Sequence, residues 1–123
     1  MLALYAGTIP EERALSLVHQ LVDKHSFSSA YPVPSVPLNS PWFRPDNYWQ
    51  GPTWVNINWL IIDGLVRYGF IKEAQSLREV TLAMVTSYGC SEYFDPNDGH
   101  GLGTPSFSWT AALAVDLCLN PIS

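Results

Sequence analysis

Residues 48–68 read YWQGPTWVNINWLIIDGLVRY, and this stretch decides the fold. Pro52 suits the beginning of a helix, because a missing N–H costs nothing in the first turn. Apolar side chains then occupy nearly every side until about Tyr68, where Gly69 ends the pattern. A helix without a broad polar face is normally buried. The stretch therefore predicts a buried, inner helix between Pro52 and Tyr68, in an all-α fold.

Two other segments predict amphipathic helices. Thr8 and Glu11 have the spacing of a capping box, in which two side chains satisfy free backbone N–H groups at a helix start. Apolar residues then recur at helical spacing as far as Val22. Residues 71–88 also combine an apolar face with a charged face, and Gly89 follows them. We expect both segments to form outer helices with one exposed face.

A fourth segment predicts a second buried helix. Thr104 and Pro105 suit its beginning, and mostly apolar residues continue through Leu117 to about Asn120. The order along the chain is then outer, inner, outer, inner. Residues 24–52 contain six prolines, which exclude a continuous helix. Because this segment is also rich in large aromatic residues, we expect an ordered loop packed over one end of the helices.

Composition restricts the surface and the partners. Apolar residues make up 47% and charged residues 14% of the chain, whereas charged residues are about a quarter of a typical soluble domain. So little polar surface predicts either part of a larger domain or a subunit with a large hydrophobic interface. The net charge is −5 and the sequence contains no run of basic residues, which argues against nucleic acid as a partner. No window is long enough to span a membrane and the first residues do not resemble a signal peptide, so we expect no membrane partner and a cytoplasmic location.

Three segments, residues 48–59, 92–96 and 107–110, together suggest a saccharide site. Aromatic residues cluster just before the central helix, and flat aromatic faces suit pyranose rings while amides suit hydroxyl groups. A single carboxylate, Glu92, follows in an aromatic segment, where partial shielding from water favours a role in proton transfer. The alternative is that Glu92 is a solvated loop residue without a catalytic role. The predicted substrate-binding residues are Tyr48, Trp49, Gln50, Trp54, Phe107 and Trp109.

Core packing is the competing explanation for several of these side chains. We place Trp54 in the site because it lies near the predicted mouth of the helix, and Trp59 in the core because it lies deeper. Asn56 and Asn58 are costly in an apolar helix unless hydrogen-bonded, so they either clamp the loop backbone or contact the saccharide. Cys90 and Cys118 have neither metal nor disulfide spacing and are expected to be small buried residues.

The motifs Tyr48-Trp49-Gln50-Gly51-Pro52-Thr53-Trp54-Val55-Asn56-Ile57-Asn58-Trp59 and Glu92-Tyr93-Phe94-Asp95-Pro96 resemble glycoside hydrolase family sixty-three. The resemblance is strongest to the branch that acts on mannosylglycerate and glucosylglycerate. It implies an (α/α)6 barrel of twelve helices, of which residues 1–123 are the C-terminal third. It also implies that Glu92 is the general base of an inverting hydrolysis. The aspartate that serves as general acid in that family has no match here.

Two details of the sequence bear on the identity of the substrate and on whether a metal is bound. Gln50 replaces an arginine that is common in the family, so a permanent charge is absent at this position. Residues 95–99, Asp-Pro-Asn-Asp-Gly, match a turn better than a calcium loop, and we expect neither a metal nor another cofactor.

The expected function is inverting hydrolysis of an α-glucosyl or α-mannosyl linkage, with a saccharide substrate and the remainder of the barrel, in the same or another chain, as partners. We expect the isolated chain to be inactive. The alternative is a noncatalytic carbohydrate-binding or structural fragment, or a subunit completed by another chain.

Overall fold

The computed structural model describes all residues, 1–123, and shows five helices and one short β-hairpin. The all-α prediction is therefore confirmed, with a small addition. The elements in chain order are α1 (Leu2–Ala6), α2 (Glu11–Val22), α3 (Val55–Arg67), α4 (Ile71–Tyr88), β1 (Tyr93–Phe94), β2 (Gly101–Leu102) and α5 (Ser108–Leu119).

Helix α3 lies at the centre of the structure, and the burial predicted from its apolar sequence is confirmed. It packs against α1, α4 and α5. Ile61 and Leu65 have no exposed surface and lie in a core shared with residues of α1, α2, α4 and α5. Gly64 lets α1 approach closely, because a Cβ at this position would stand 2.6 Å from the backbone nitrogen of Tyr5. Any larger residue there would push α1 away from α3.

The proline-rich loop between α2 and α3 is ordered and tied to α3, as predicted. Asn58 of α3 has no exposed surface. Its Oδ1 accepts a hydrogen bond from the Val33 backbone N–H at 3.0 Å, and its Nδ2 donates to the Pro32 carbonyl oxygen at 2.8 Å and to Thr81 Oγ1 at 2.9 Å. One side chain thus joins the loop, α3 and α4. The clamp alternative for Asn58 is confirmed.

The hairpin and the end of the loop form a small extended layer beside α3. Tyr93 pairs with Leu102 and Phe94 with Gly101 in the antiparallel hairpin. Thr53 continues this pairing, because its N–H donates to the Phe94 carbonyl at 2.8 Å and its carbonyl accepts from the Phe94 N–H at 2.9 Å. The loop residues that precede α3 are therefore held against the segment that follows α4.

This layer explains where two predicted helix starts are wrong. Helix α3 begins at Val55 rather than near Pro52, because Thr53 is held in the bridge to Phe94. Helix α5 begins at Ser108 rather than at Thr104, because the Thr104 carbonyl accepts from the Glu92 N–H at 2.9 Å. The backbone pairing holds both segments in extended geometry, so each helix begins only at a later residue.

The first turn of α2 also differs from the sequence prediction. Its N-cap is Pro10, and no side chain caps the helix, so the predicted capping box of Thr8 and Glu11 does not form. The Pro10 carbonyl accepts from the Arg13 N–H at 2.9 Å, which places the helix start two residues later. Helix α1, which carries no clear periodic signal in so short a segment, was not predicted.

Helix α5 is less buried than predicted. Trp109 is 55%, Val115 57% and Leu119 74% exposed, while Ala114 and Leu117 face the core. Residues 1–123 thus cover one side of an apolar helix and leave its other side open. Both cysteines are free, and Cys118 is exposed while Cys90 is half-buried, so the expectation that they are buried is wrong. No helix has the length and hydropathy required to cross a membrane.

Candidate functional site

Four aromatic rings form a compact stack before the first turn of α3. The rings of Trp49 and Trp54 are nearly parallel, with centroids 3.8 Å apart and an interplanar angle of 5°. Tyr93 covers the other face of Trp54 at 5.0 Å. Tyr48 meets all three rings edge-on at 5.1–5.7 Å. The rings from the loop and from β1 therefore form one unit, which we call the aromatic stack.

Backbone geometry holds the aromatic stack in place. Trp54 is the N-cap residue of α3, and its indole Nε1 donates to the Tyr48 carbonyl at 2.9 Å. Tyr48 has a φ of +42°, which costs a residue with a side chain about 1–3 kcal/mol and persists only where surrounding contacts enforce it. Here the indole hydrogen bond and the three ring contacts enforce it. The local strain positions the Tyr48 ring across the stack.

The rings of the stack differ in accessibility. Trp54 is 2% exposed because Trp49 and Tyr93 cover its two faces, whereas Tyr48 is 49% and Trp49 40% exposed. In this arrangement Trp54 supports the rings beside it. The prediction that Trp54 itself touches a saccharide stays a prediction and would require a neighbouring ring to move. Trp59 is half-buried and packs against the core, as predicted. Its indole Nε1 donates to Asp116 Oδ2 at 2.7 Å.

Glu92 lies immediately before β1 and is fixed at both its backbone and its side chain. Its N–H donates to the Thr104 carbonyl at 2.9 Å, and its Oε2 accepts from the Thr104 N–H at 3.0 Å. The residue is half-buried. This closed pair of bonds holds one carboxylate oxygen against the hairpin, and the other oxygen has no protein hydrogen bond.

Gly103 brings the carboxylate and the aromatic stack together. A Cβ on Gly103 would stand 2.6 Å from Cε1 of Tyr93 and 2.7 Å from Oε2 of Glu92. Gly103 also has a φ of +70°, which favours glycine. Neither Gly103 nor Thr104 was predicted as a site residue, and Thr104 was expected only at the beginning of a helix. The glycine-rich run at residues 99–103 was the available signal, but only the folded hairpin shows which glycine carries the contact.

The beginning of α5 is tied to the two residues that precede Glu92. The Phe107 N–H donates to the Cys90 carbonyl at 2.7 Å, and Thr110 Oγ1 donates to the Ser91 carbonyl at 2.7 Å. The rings of Phe107 and Trp109 lie 5.4 Å apart and are tilted by 55°. The three predicted segments therefore meet at one end of the helices.

Gln50 lies in the same loop as the exposed rings of the stack. Its backbone N–H donates to the Asn47 carbonyl at 2.7 Å, and its carbonyl accepts from the Arg44 N–H at 2.7 Å. The side-chain Oε1 accepts from Asn47 Nδ2. The exposed Gln50 amide thus keeps its donor group free, and it offers no permanent charge to a substrate.

The acidic turn after β1 is explained by its own hydrogen bonds. Asp95 Oδ1 accepts from the Asn97 N–H at 2.8 Å, and Asp98 Oδ1 accepts from the His100 N–H at 3.0 Å and contacts His100 Nδ1 at 2.6 Å. The bond from the His100 backbone, followed by that from its ring, lowers the pKa of Asp98. Potential ligand atoms of Asp95, Asp98 and His100 do lie within 4.8 Å of one another. The predicted turn is confirmed.

Comparison with known proteins identifies the scaffold. Residues 1–110 match the model of the mannosylglycerate hydrolase MGH1-like glycoside hydrolase domain. This chain belongs to that glycoside hydrolase family. The family resemblance predicted from the sequence motifs is therefore confirmed.

The similar proteins are much longer than this chain. A mannosylglycerate hydrolase of Thermus thermophilus is 42% identical over 114 residues, which are 93% of this chain and 27% of the relative. A glucosylglycerate hydrolase of Mycolicibacterium hassiacum is 33% identical over 119 residues, 92% of this chain and 26% of the relative. The crystal structure of the GH63 mannosylglycerate hydrolase from Thermus thermophilus in complex with Tris and D-glycerate superposes with a TM-score of 0.88 at 39% identity, covering 95% of this chain and 28% of that one.

Proposed function

We propose that residues 1–123 form one wall of the saccharide site of an inverting glycoside hydrolase, with Glu92 as the general base. The observation that carries this proposal is that the Glu92 carboxylate and the Tyr93 ring both lie close against Gly103, which sets a fixed carboxylate beside an aromatic stack. Family membership supplies the reaction class.

The bonding of Glu92 suits a base. The Thr104 N–H holds Oε2 at 3.0 Å, so the orientation of the carboxylate is set before substrate arrives, and the second oxygen remains available to a water molecule. In the proposed reaction that oxygen removes a proton from water as the water attacks the anomeric carbon. The bond from the anomeric carbon to the leaving oxygen then breaks, and that oxygen requires a proton from a general acid.

The general acid is expected outside residues 1–123. An inverting site places its two carboxyl groups about 6.5–9.5 Å apart so that water fits between them. The relatives that carry the named activities are more than three times as long as the matched segment, which spans 27% of the Thermus thermophilus enzyme. We therefore expect the remaining barrel segments, in the same or another chain, to supply the acid. Without them we expect no turnover.

The proposed substrate is a glycerate linked to an α-mannosyl or α-glucosyl unit. The exposed faces of Tyr48 and Trp49 can receive the apolar face of a pyranose, with Trp54 behind them. Phe107 and Trp109 extend the wall. Gln50 offers a neutral amide to the substrate, so any charge that pairs with a glycerate carboxylate must come from elsewhere. The cytoplasmic location expected from the sequence stays a prediction.

A chimeric enzyme tests the proposal. The 114 matched residues of the Thermus thermophilus mannosylglycerate hydrolase are replaced by those of this chain, and hydrolysis of mannosylglycerate and glucosylglycerate is measured. Glu92→Gln keeps the shape of the side chain but cannot take the proton. We expect kcat to fall by about 10²–10⁴-fold with little change in substrate affinity. Glu79→Gln, on the exposed face of α4, is the matched control and should leave kcat unchanged.

Two outcomes would contradict the proposal. Unchanged kcat in a folded Glu92→Gln chimera would remove Glu92 from the reaction. A folded parental chimera that binds mannosylglycerate without hydrolysing it would instead favour the alternative of a noncatalytic carbohydrate-binding segment.

A further inference from the structure

A second surface feature, mostly apolar with one amide, lies beside the aromatic stack, between the first turns of α3 and α5. An open groove of about 500 Å³ is lined by Asn56, Ser108, Trp109, Ala112 and Leu113. The groove lies directly after Trp54 and Phe107, the N-cap residues of α3 and α5, so it adjoins the proposed site.

Asn56 is the unexplained residue in this groove. Asn58, two positions later, uses its amide in three buried hydrogen bonds, and Asp63 on the same helix pairs with Arg67. The half-buried Asn56 side chain makes no hydrogen bond within the protein. An amide carries two donors and an acceptor with two lone pairs, and placing it on an apolar helix without a partner contributes nothing to stability.

The neighbours of Asn56 indicate what it can bind. Trp109 is 55% exposed and supplies a flat apolar face, while Ser108 adds a hydroxyl group. Thr110, the next residue, donates to the carbonyl of Ser91, which directly precedes Glu92. An exposed indole beside an amide with free donor and acceptor suits a pyranose, which has an apolar ring face and hydroxyl groups at its rim.

We propose that Asn56 is a substrate-positioning residue, whose amide binds hydroxyl groups of a sugar ring that lies on Trp109. This inference rests on the proposed function and extends it, because it assigns a second contact region for the saccharide, separate from the aromatic stack. Asn56 would orient the sugar without taking part in proton transfer.

Side-chain NMR of the full chain tests the assignment. The chain is labelled with ¹⁵N and titrated with mannosylglycerate, with D-glycerate alone as the sugar-free control. We expect saturable shifts of the Asn56 side-chain NH₂ and the Trp109 indole N–H signals with mannosylglycerate only. Asn56→Leu, which also identifies the NH₂ signal by its loss, should weaken binding by about 3- to 10-fold, as expected for one or two lost hydrogen bonds. Asn39→Leu, an exposed loop residue without side-chain hydrogen bonds, is the matched control.

The possible outcomes separate this inference from the proposed function. If the Trp49 indole shifts while Asn56 and Trp109 do not, the groove assignment is wrong and the aromatic stack retains its role. If no signal shifts, the groove assignment is also wrong. If Asn56 and Trp109 shift and the Glu92→Gln chimera keeps its activity, the groove binds saccharide but Glu92 is not the base. Equal affinity of Asn56→Leu and the parent chain would overturn the role of the amide.

Discussion

Asn58→Ala should be among the most destabilising single changes in this chain. The substitution leaves the Val33 N–H and the Pro32 carbonyl without their side-chain partner, and it removes one partner of Thr81 Oγ1. Each buried polar group that loses its hydrogen bond costs about 1–3 kcal/mol. Because Thr81 Oγ1 still donates to the Leu77 carbonyl at 2.7 Å, its loss is smaller. We expect the free energy of unfolding to fall by about 2–6 kcal/mol in total.

A loss of this size is a large share of the stability of a small domain, which is about 5–15 kcal/mol. Urea unfolding of the full chain, followed by tryptophan fluorescence and circular dichroism, measures it. Asn56→Ala is the matched control, because it changes the same residue type in the same helix and removes no protein hydrogen bond. We expect its effect to stay within about 0.5 kcal/mol, as is usual for substitutions outside buried networks.

A double-variant cycle adds a second check on the clamp. Thr81→Val removes the hydroxyl that accepts from Asn58 Nδ2, so the Asn58→Ala/Thr81→Val variant should lose less stability than the sum of its single changes. Strict additivity would show that the two side chains do not interact. If Asn58→Ala and Asn56→Ala had equal effects below about 1 kcal/mol, the assignment of Asn58 as the structural clamp would be wrong.

Three other perturbations address the hairpin, the acidic turn and the exposed helix face. Gly103→Ala should displace the Glu92 carboxylate and reduce kcat of the chimera, because its Cβ would stand 2.7 Å from Oε2 and the φ of +70° disfavours alanine; unchanged kcat would contradict this. The lowered pKa of Asp98 means that its carboxylate stabilises the fold above the ordinary pKa of 3.8 and that this contribution is lost as the pH falls through the lower folded value. Asp98→Asn should therefore weaken the dependence of stability on pH below about 4 in acid titrations, with His100 intact. We expect the exposed apolar side of α5 to make the full chain self-associate and bind a dye that fluoresces on apolar surface. Val115→Gln on this side should reduce both effects in sedimentation and fluorescence measurements. A parent chain that stays monomeric and binds no dye would contradict this prediction.

The sequence by itself determined the helical class, the buried character of α3 and the ends of α3 and α4 near glycine. These features depend on local periodicity and on residues with unusual backbone freedom, and both can be read without knowing any distant contact. It also identified the family, because the aromatic and acidic motifs are long and specific. The starts of α3 and α5 were predicted too early, since extended pairing with distant segments, Thr53 with Phe94 and Thr104 with Glu92, delays both helices.

The tertiary structure alone decided what the two asparagines of α3 do. Asn56 and Asn58 are the same residue type on the same apolar helix, and the sequence left clamp and saccharide contact open for both. Two positions along an α-helix turn a side chain by about 200°, so the two amides face different surroundings. Asn58 faces Val33 and Thr81, which satisfy its amide in the interior, whereas Asn56 faces an open groove beside Trp109. Their surroundings are supplied by segments distant in the chain, and a local pattern holds no information about them.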